Sequence, residues 1–89
     1  MQTLIIDGQD LYGQKDLHDY LAKALDFPSY YGANLDALHD MLTSWQTPTT
    51  IYLVNLDALS EHLGATYSKK FLKLLLDVEE KNAFLTILR

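Results

Sequence analysis

Cysteine is absent from the 89-residue sequence. No disulfide, thiolate nucleophile or cysteine metal ligand can be built from it, and a small domain without disulfides fits a reducing compartment. Glycine and proline are sparse, at four and two residues. The glycines at 8, 13, 32 and 64 are scattered, which excludes a glycine-rich phosphate loop and leaves nucleotide binding without support. Long apolar runs are missing too: no stretch approaches the roughly 20 residues of a membrane span. Leu4, Ile5 and Ile6 follow no basic region, so residues 1–10 do not read as a secretory signal. Positive charge is the scarcest property, with seven Lys and Arg against twelve Asp and Glu and a net charge of −5. An acidic chain releases no counterions from nucleic acid and is repelled by anionic lipid, so neither is an expected partner. What is present is 48% hydrophobic and 11% aromatic residues, the composition of a folded globular chain. A single domain over residues 1–89, soluble and cytoplasmic, is the expectation.

The deficit of positive charge is concentrated. Between residues 24 and 68 lie Asp26, Asp36, Asp40, Asp57 and Glu61 and no Lys or Arg, whereas residues 69–89 carry Lys69, Lys70, Lys73, Lys81 and Arg89 against Asp77, Glu79 and Glu80. A solvated surface usually mixes the two signs, and a single-sign field is often kept to steer a partner. An inert acidic surface is the competing reading of the same block.

The hydrophobic pattern predicts a β-α-α-β-α-α-β order. Thr3–Ile6, Thr49–Val54 and Phe84–Leu88 are β-branched or aliphatic runs of strand type. Leu17, Tyr20, Leu21, Ala24 and Leu25 recur at helical spacing from about Asp16 and stop before Pro28. Asn34 is suited to cap a helix from Leu35 to about Ser44, before Thr47-Pro48. Leu56–Leu63 reads as a short helix closed by Gly64. Tyr67 to about Lys81 reads as a longer one with Phe71, Leu74, Leu75 and Val78 on its buried stripe. Strands separated by helices imply crossovers, and crossovers imply an α/β domain with a parallel sheet covered by helices.

Little in the sequence speaks for catalysis. His18, His39 and His62 fall on three different helices, outside the paired spacing of a helical zinc site. Asp36, His39 and Asp40 share a helix face and could grip a divalent cation, but a lone triplet of this kind is usually a solvated helix face. No Ser, His and Asp spacing marks a triad, and no cofactor motif is present.

The helix from Leu35 carries the clearest asymmetry. At about 100° per residue from Asp36, Asp40 lies near 40° and Thr43 near −20°, while Trp45, Leu38, Leu42 and Leu35 lie between about 180° and 260°. The carboxylates therefore point away from the core. Asp36 is in the first turn, where the helix dipole favours an anion. Asp40 is mid-helix, where Asp is a poor helix former, and one turn from a like charge with no Lys or Arg at i±3 or i±4. The pair reads either as two solvated aspartates or as a surface that expects cations from elsewhere.

The segment Pro28–Trp45, PSYYGANLDALHDMLTSW, closely resembles the signature of the barstar family of intracellular ribonuclease inhibitors. Tyr-Tyr-Gly-x-Asn-Leu-Asp-Ala-Leu-x-Asp followed by Leu-Thr fixes a loop, a cap and a charged helix face together. Asp-Leu-His in the first helix and Thr-Ile near the C-terminus match as well. The resemblance implies a three-stranded parallel sheet with about four helices, and a stoichiometric, non-enzymatic inhibitor that plugs the active site of a small basic guanyl-specific ribonuclease, barnase-like or related. The implied contact residues are Tyr30, Gly32, Asn34, Asp36, Asp40 and Thr43. Asp40 is implied in the substrate phosphate pocket, Asp36 against a second basic group, and Tyr30 stacked on the catalytic histidine, with Gly32 allowing close approach. His39, where the best-known member has a Trp, belongs to the interface edge, and Trp45, which closes the same segment, is counted with the partner-binding residues. Asp77 takes the place of a Glu that meets the basic rim of the enzyme, and Lys81 that of an acidic position one turn on. An interaction module of the same fold with a target other than a ribonuclease is the alternative.

Overall fold

A computed structural model describes residues 2–89 of the chain. Alternation in its strands sets the architecture. In β1 (Gln2–Asp7), β2 (Thr49–Val54) and β3 (Leu85–Leu88), the residues Leu4, Ile6, Ile51, Leu53, Leu85 and Ile87 are buried, and their neighbours point the other way. The sheet is parallel with order β1-β2-β3, pairing Leu4 with Ile51 and Ile51 with Ile87. Helices α1 (Gln14–Ala24) and α2 (Leu35–Thr43) join β1 to β2, and α3 (Leu56–Leu63) and α4 (Ala65–Lys81) join β2 to β3. The three-stranded parallel sheet and four helices agree with the expected α/β class.

Both crossovers step in the same direction along the sheet, and right-handed crossovers of that kind place their helices on one face. The sheet is thus covered on one side rather than enclosed. The uncovered side carries the register row Ile5, Tyr52 and Leu88, each 41–55% exposed. On the covered side the core gathers Leu17 and Leu21 of α1, Leu38 and Leu42 of α2, Leu59 of α3, and Phe71, Leu75 and Val78 of α4. The stripe expected on α4 is the one buried. On α1 the buried stripe runs through Leu17, His18 and Leu21, while Ala24, assigned to it from the sequence, is exposed.

Local chemistry explains the boundaries. Helix α1 ends in a Schellman arrangement: Asp26 takes a left-handed conformation (φ 54°) and the Phe27 N–H reaches back to the Ala22 carbonyl at 2.9 Å. Asp there, without the usual glycine, is a mildly strained ending. Helix α4 starts at Ala65, two residues before Tyr67, because Gly64 (φ 90°) makes the turn between α3 and α4 so tight that one residue separates them. A single 3₁₀ turn, Gly8–Asp10, follows β1 and packs on α3. Gly8 is required there. A Cβ on it would lie 2.2 Å from the Asn55 carbonyl oxygen and 2.5 Å from the Leu59 nitrogen.

Candidate functional site

The loop from Pro28 to Asn34 and helix α2 form one continuous exposed element. Asn34 caps α2 as its sequence position suggests, accepting the Ala37 N–H at 2.8 Å, and its side-chain amide donates to the Gly32 carbonyl at 3.2 Å. The same amide therefore fixes both the helix start and the loop before it. Ala33 between them is left-handed (φ 53°), a conformation that costs a residue with a Cβ about 1 kcal/mol and recurs at functional loops. Gly32 lies against the Asn34 amide and the Ala37 methyl.

The two tyrosines of this loop take opposite parts. Tyr30 is 83% exposed, the most exposed of the large apolar side chains. Tyr31 turns inward, packs on Phe27, and its hydroxyl meets Nδ1 of His18 at 2.6 Å. Nε2 of the same imidazole meets the Tyr67 hydroxyl at 2.6 Å. His18 is 1% exposed, so a single buried ring pins the loop to α1 and α4. Burial lowers the pKa of His18 and pushes the Tyr31 phenol up to about 12, which keeps the bridge neutral at physiological pH. No motif announces this bridge. Its signals in the sequence are that His18 stands three residues before Leu21 on the buried side of α1 and that it ends the Asp-Leu-His match of the first helix.

On α2, Leu38 and Leu42 are buried while Asp36, Asp40 and Thr43 are exposed, as the wheel predicts. Asp36 and Asp40 enter no ion pair and accept no side-chain hydrogen bond among the described residues. One turn apart, they form a doubly negative patch at about 5–6 Å spacing. The Thr43 hydroxyl donates to the His39 carbonyl at 2.7 Å, closing the helix end.

His39 leaves this face. Its Nε2 lies 2.9 Å from Oδ2 of Asp77 on α4, and Nζ of Lys81 reaches the same oxygen at 3.0 Å. These two hydrogen bonds, His39 first, hold the Asp77 carboxyl below the usual carboxylate range. The Asp36, His39 and Asp40 triplet considered as a cation grip is therefore not assembled. No group of three His, Cys, Asp or Glu that could hold a metal occurs among the described residues. Trp45 is likewise turned inward, half-buried edge-on against Phe27, with its indole N–H donated to Thr49 Oγ1 at 2.9 Å.

Behind the helix, Asn82 fastens its far end. This residue is 7% exposed, and its side-chain amide donates to the carbonyls of Leu42 (2.9 Å), Thr43 (3.3 Å) and Trp45 (2.8 Å) while accepting the Phe84 N–H at 2.9 Å. Helix α2 is thus held at its N-terminus by Asn34 and at its C-terminus by Asn82, with the acidic pair displayed between them.

The domain is thus a one-sided α/β layer that presents a braced acidic helix and an exposed tyrosine. Residues 1–87 match the family described as Barstar (barnase inhibitor). The chain is also 43% identical over 82 residues to a protein of Bacillus subtilis (strain 168) named "Putative ribonuclease inhibitor YrdF", covering 91% of this chain and 89% of that one. The chain belongs to the barstar family, and its kinship is with ribonuclease inhibitors rather than with enzymes. No helix of the described residues is long and apolar enough to cross a membrane.

Proposed function

We propose that the protein is a stoichiometric inhibitor of a small, basic, secreted guanyl-specific ribonuclease, barnase-like or related, and that it acts in the cytoplasm of the cell it protects. The observation that carries this reading is the doubly negative, internally unrelieved pair Asp36 and Asp40 on a rigidly capped helix. A ribonuclease cleft holds phosphates with cationic side chains, so carboxylates offered there compete with RNA. Asp40 enters the phosphate pocket and Asp36 meets a second basic group beside it. Exposed Tyr30 stacks on the catalytic histidine, and Gly32 lets the backbones approach. Asn34 and Thr43 fix the two ends of the contacting segment. His39 and Asp77, bonded to each other across α2 and α4, meet the enzyme at the edge of the contact, and Trp45 closes the contacting segment. A standard interface of about 800 Å² per partner takes roughly 15% of the 5368 Å² surface. Association is fast and salt-sensitive.

The test is titration of small microbial ribonucleases with the protein while RNA cleavage is followed. Inhibition complete at one-to-one stoichiometry, weakened at least about 30-fold by Asp40→Ala, as for a hot spot of 2 kcal/mol or more, and unchanged in Asp19→Ala is the expected result. Inhibition that survives Asp40→Ala refutes the assignment. Failure to inhibit any enzyme of the panel turns the reading to a target other than a ribonuclease.

A further inference from the structure

The acidic helix is bordered by a basic edge that the acidic-mimic reading does not use. Helices α2 and α4 leave a groove of about 400 Å³ between them, walled on one side by Leu35, Asp36 and His39 and on the other by Lys70, Lys73 and Asp77, with Leu74 at its floor. Lys70 and Lys73 are exposed and form no ion pair among the described residues. Lys73 has Asp77 one turn further on, the spacing of a helical ion pair. That carboxylate is instead committed to His39 and Lys81, so its charge is offset and the two ammonium groups are the net charge of this edge. We infer that the binding surface is bipolar, and that the ribonuclease it fits carries carboxylates on the rim of its cleft, where that rim crosses Lys70 and Lys73.

This inference rests on the inhibitory reading proposed above and adds the chemistry of the partner. The groove opens beside Asp36, so a cleft seated over the acidic pair brings its margin over α4. A basic margin there sets like charges together and weakens binding, whereas an acidic one forms complementary pairs and speeds association. The basic edge thus selects against ribonucleases whose whole rim is positive, a repulsive element of the kind that makes an interface specific.

The experiment compares two small guanyl-specific ribonucleases with the same type of active site, one with acidic and one with basic residues on the rim of its cleft. Inhibition constants are measured for the wild type, for the double variant Lys70→Glu/Lys73→Glu and for Asp40→Ala, at low and high salt. The wild type is expected to favour the acidic-rimmed enzyme. The double variant is expected to lose about tenfold or more against that enzyme and to gain against the basic-rimmed one, with both effects shrinking at high salt. A double variant that moves neither constant, or moves both in the same direction, overturns the inference; if Asp40→Ala still abolishes inhibition of both enzymes, the inhibitory reading stands without it. If the wild type inhibits neither enzyme, both readings fall.

Discussion

Removing the Asn82 side chain is the most informative perturbation of the scaffold, because one amide joins α2, the end of α4 and the start of β3. Asn82→Ala deletes three well-formed hydrogen bonds, to the Leu42 and Trp45 carbonyls and from the Phe84 N–H, and a longer one to Thr43. At about 0.5–1.5 kcal/mol net for each good bond, the loss is roughly 2–4 kcal/mol, a large part of the 5–15 kcal/mol that holds a small domain together. For a domain of this size that corresponds to a fall in Tm of about 10–25 °C. Urea and thermal unfolding followed by far-UV circular dichroism measure it, with the urea m-value unchanged if only the native state is affected. Asn82→Asp sharpens the test. It preserves the acceptor for Phe84 but replaces the donor with an anion facing the carbonyl end of α2, where the helix dipole disfavours negative charge. At neutral pH it should be at least as damaging as alanine although its shape is unchanged. A loss below about 1 kcal/mol in the alanine variant, or an aspartate variant as stable as wild type, would refute the claim that this amide fastens the helix.

Two further perturbations address the packing and the buried bridge. Gly8→Ala forces a methyl onto the Asn55 carbonyl and the Leu59 backbone; overpacking of this kind costs about 1–3 kcal/mol or more, so the variant should unfold at clearly lower urea concentration, and one with an unchanged midpoint would contradict the close approach of the first turn to α3. His18 is held neutral by burial, and its folded pKa lies below the unfolded value of about 6.5. The unfolded state then binds the extra proton first, so stability falls as pH drops below about 6.5 and stops falling, for this group, once the pH is beneath the folded pKa. His18→Gln should be less stable at neutral pH and should show a shallower loss between neutral pH and pH ~5; an equal slope in variant and wild type would assign the dependence to other groups.

The local pattern of the sequence reaches a long way into this structure. Thr49–Val54 and Leu56–Leu63 fall where β-branching and helical spacing put them, Asn34 caps the helix its side chain is suited to cap, and the outward set of Asp36, Asp40 and Thr43 follows from 100° per residue alone. These are local facts, because period and capping depend on residues within one or two turns. The family resemblance is legible for a similar reason: its signature is a contiguous loop and helix.

Other features required the fold. Alternation shows that each strand has two faces, but only the strand order with same-direction crossovers decides that one face of the sheet stays open. His18 meets partners 13 and 49 residues away, Asn82 fastens a helix end about 40 residues before it, and His39 reaches an aspartate 38 residues on. No periodicity encodes such pairs, since each depends on how two helices are rotated against each other by the core beneath them. The sequence by itself determined the elements, their order and the negative face of α2. The tertiary structure decided which groups brace that face, that the charge of Asp77 is offset from within, and that Lys70 and Lys73 line the far wall of the groove that Asp36 borders, because only packing brings α4 alongside α2.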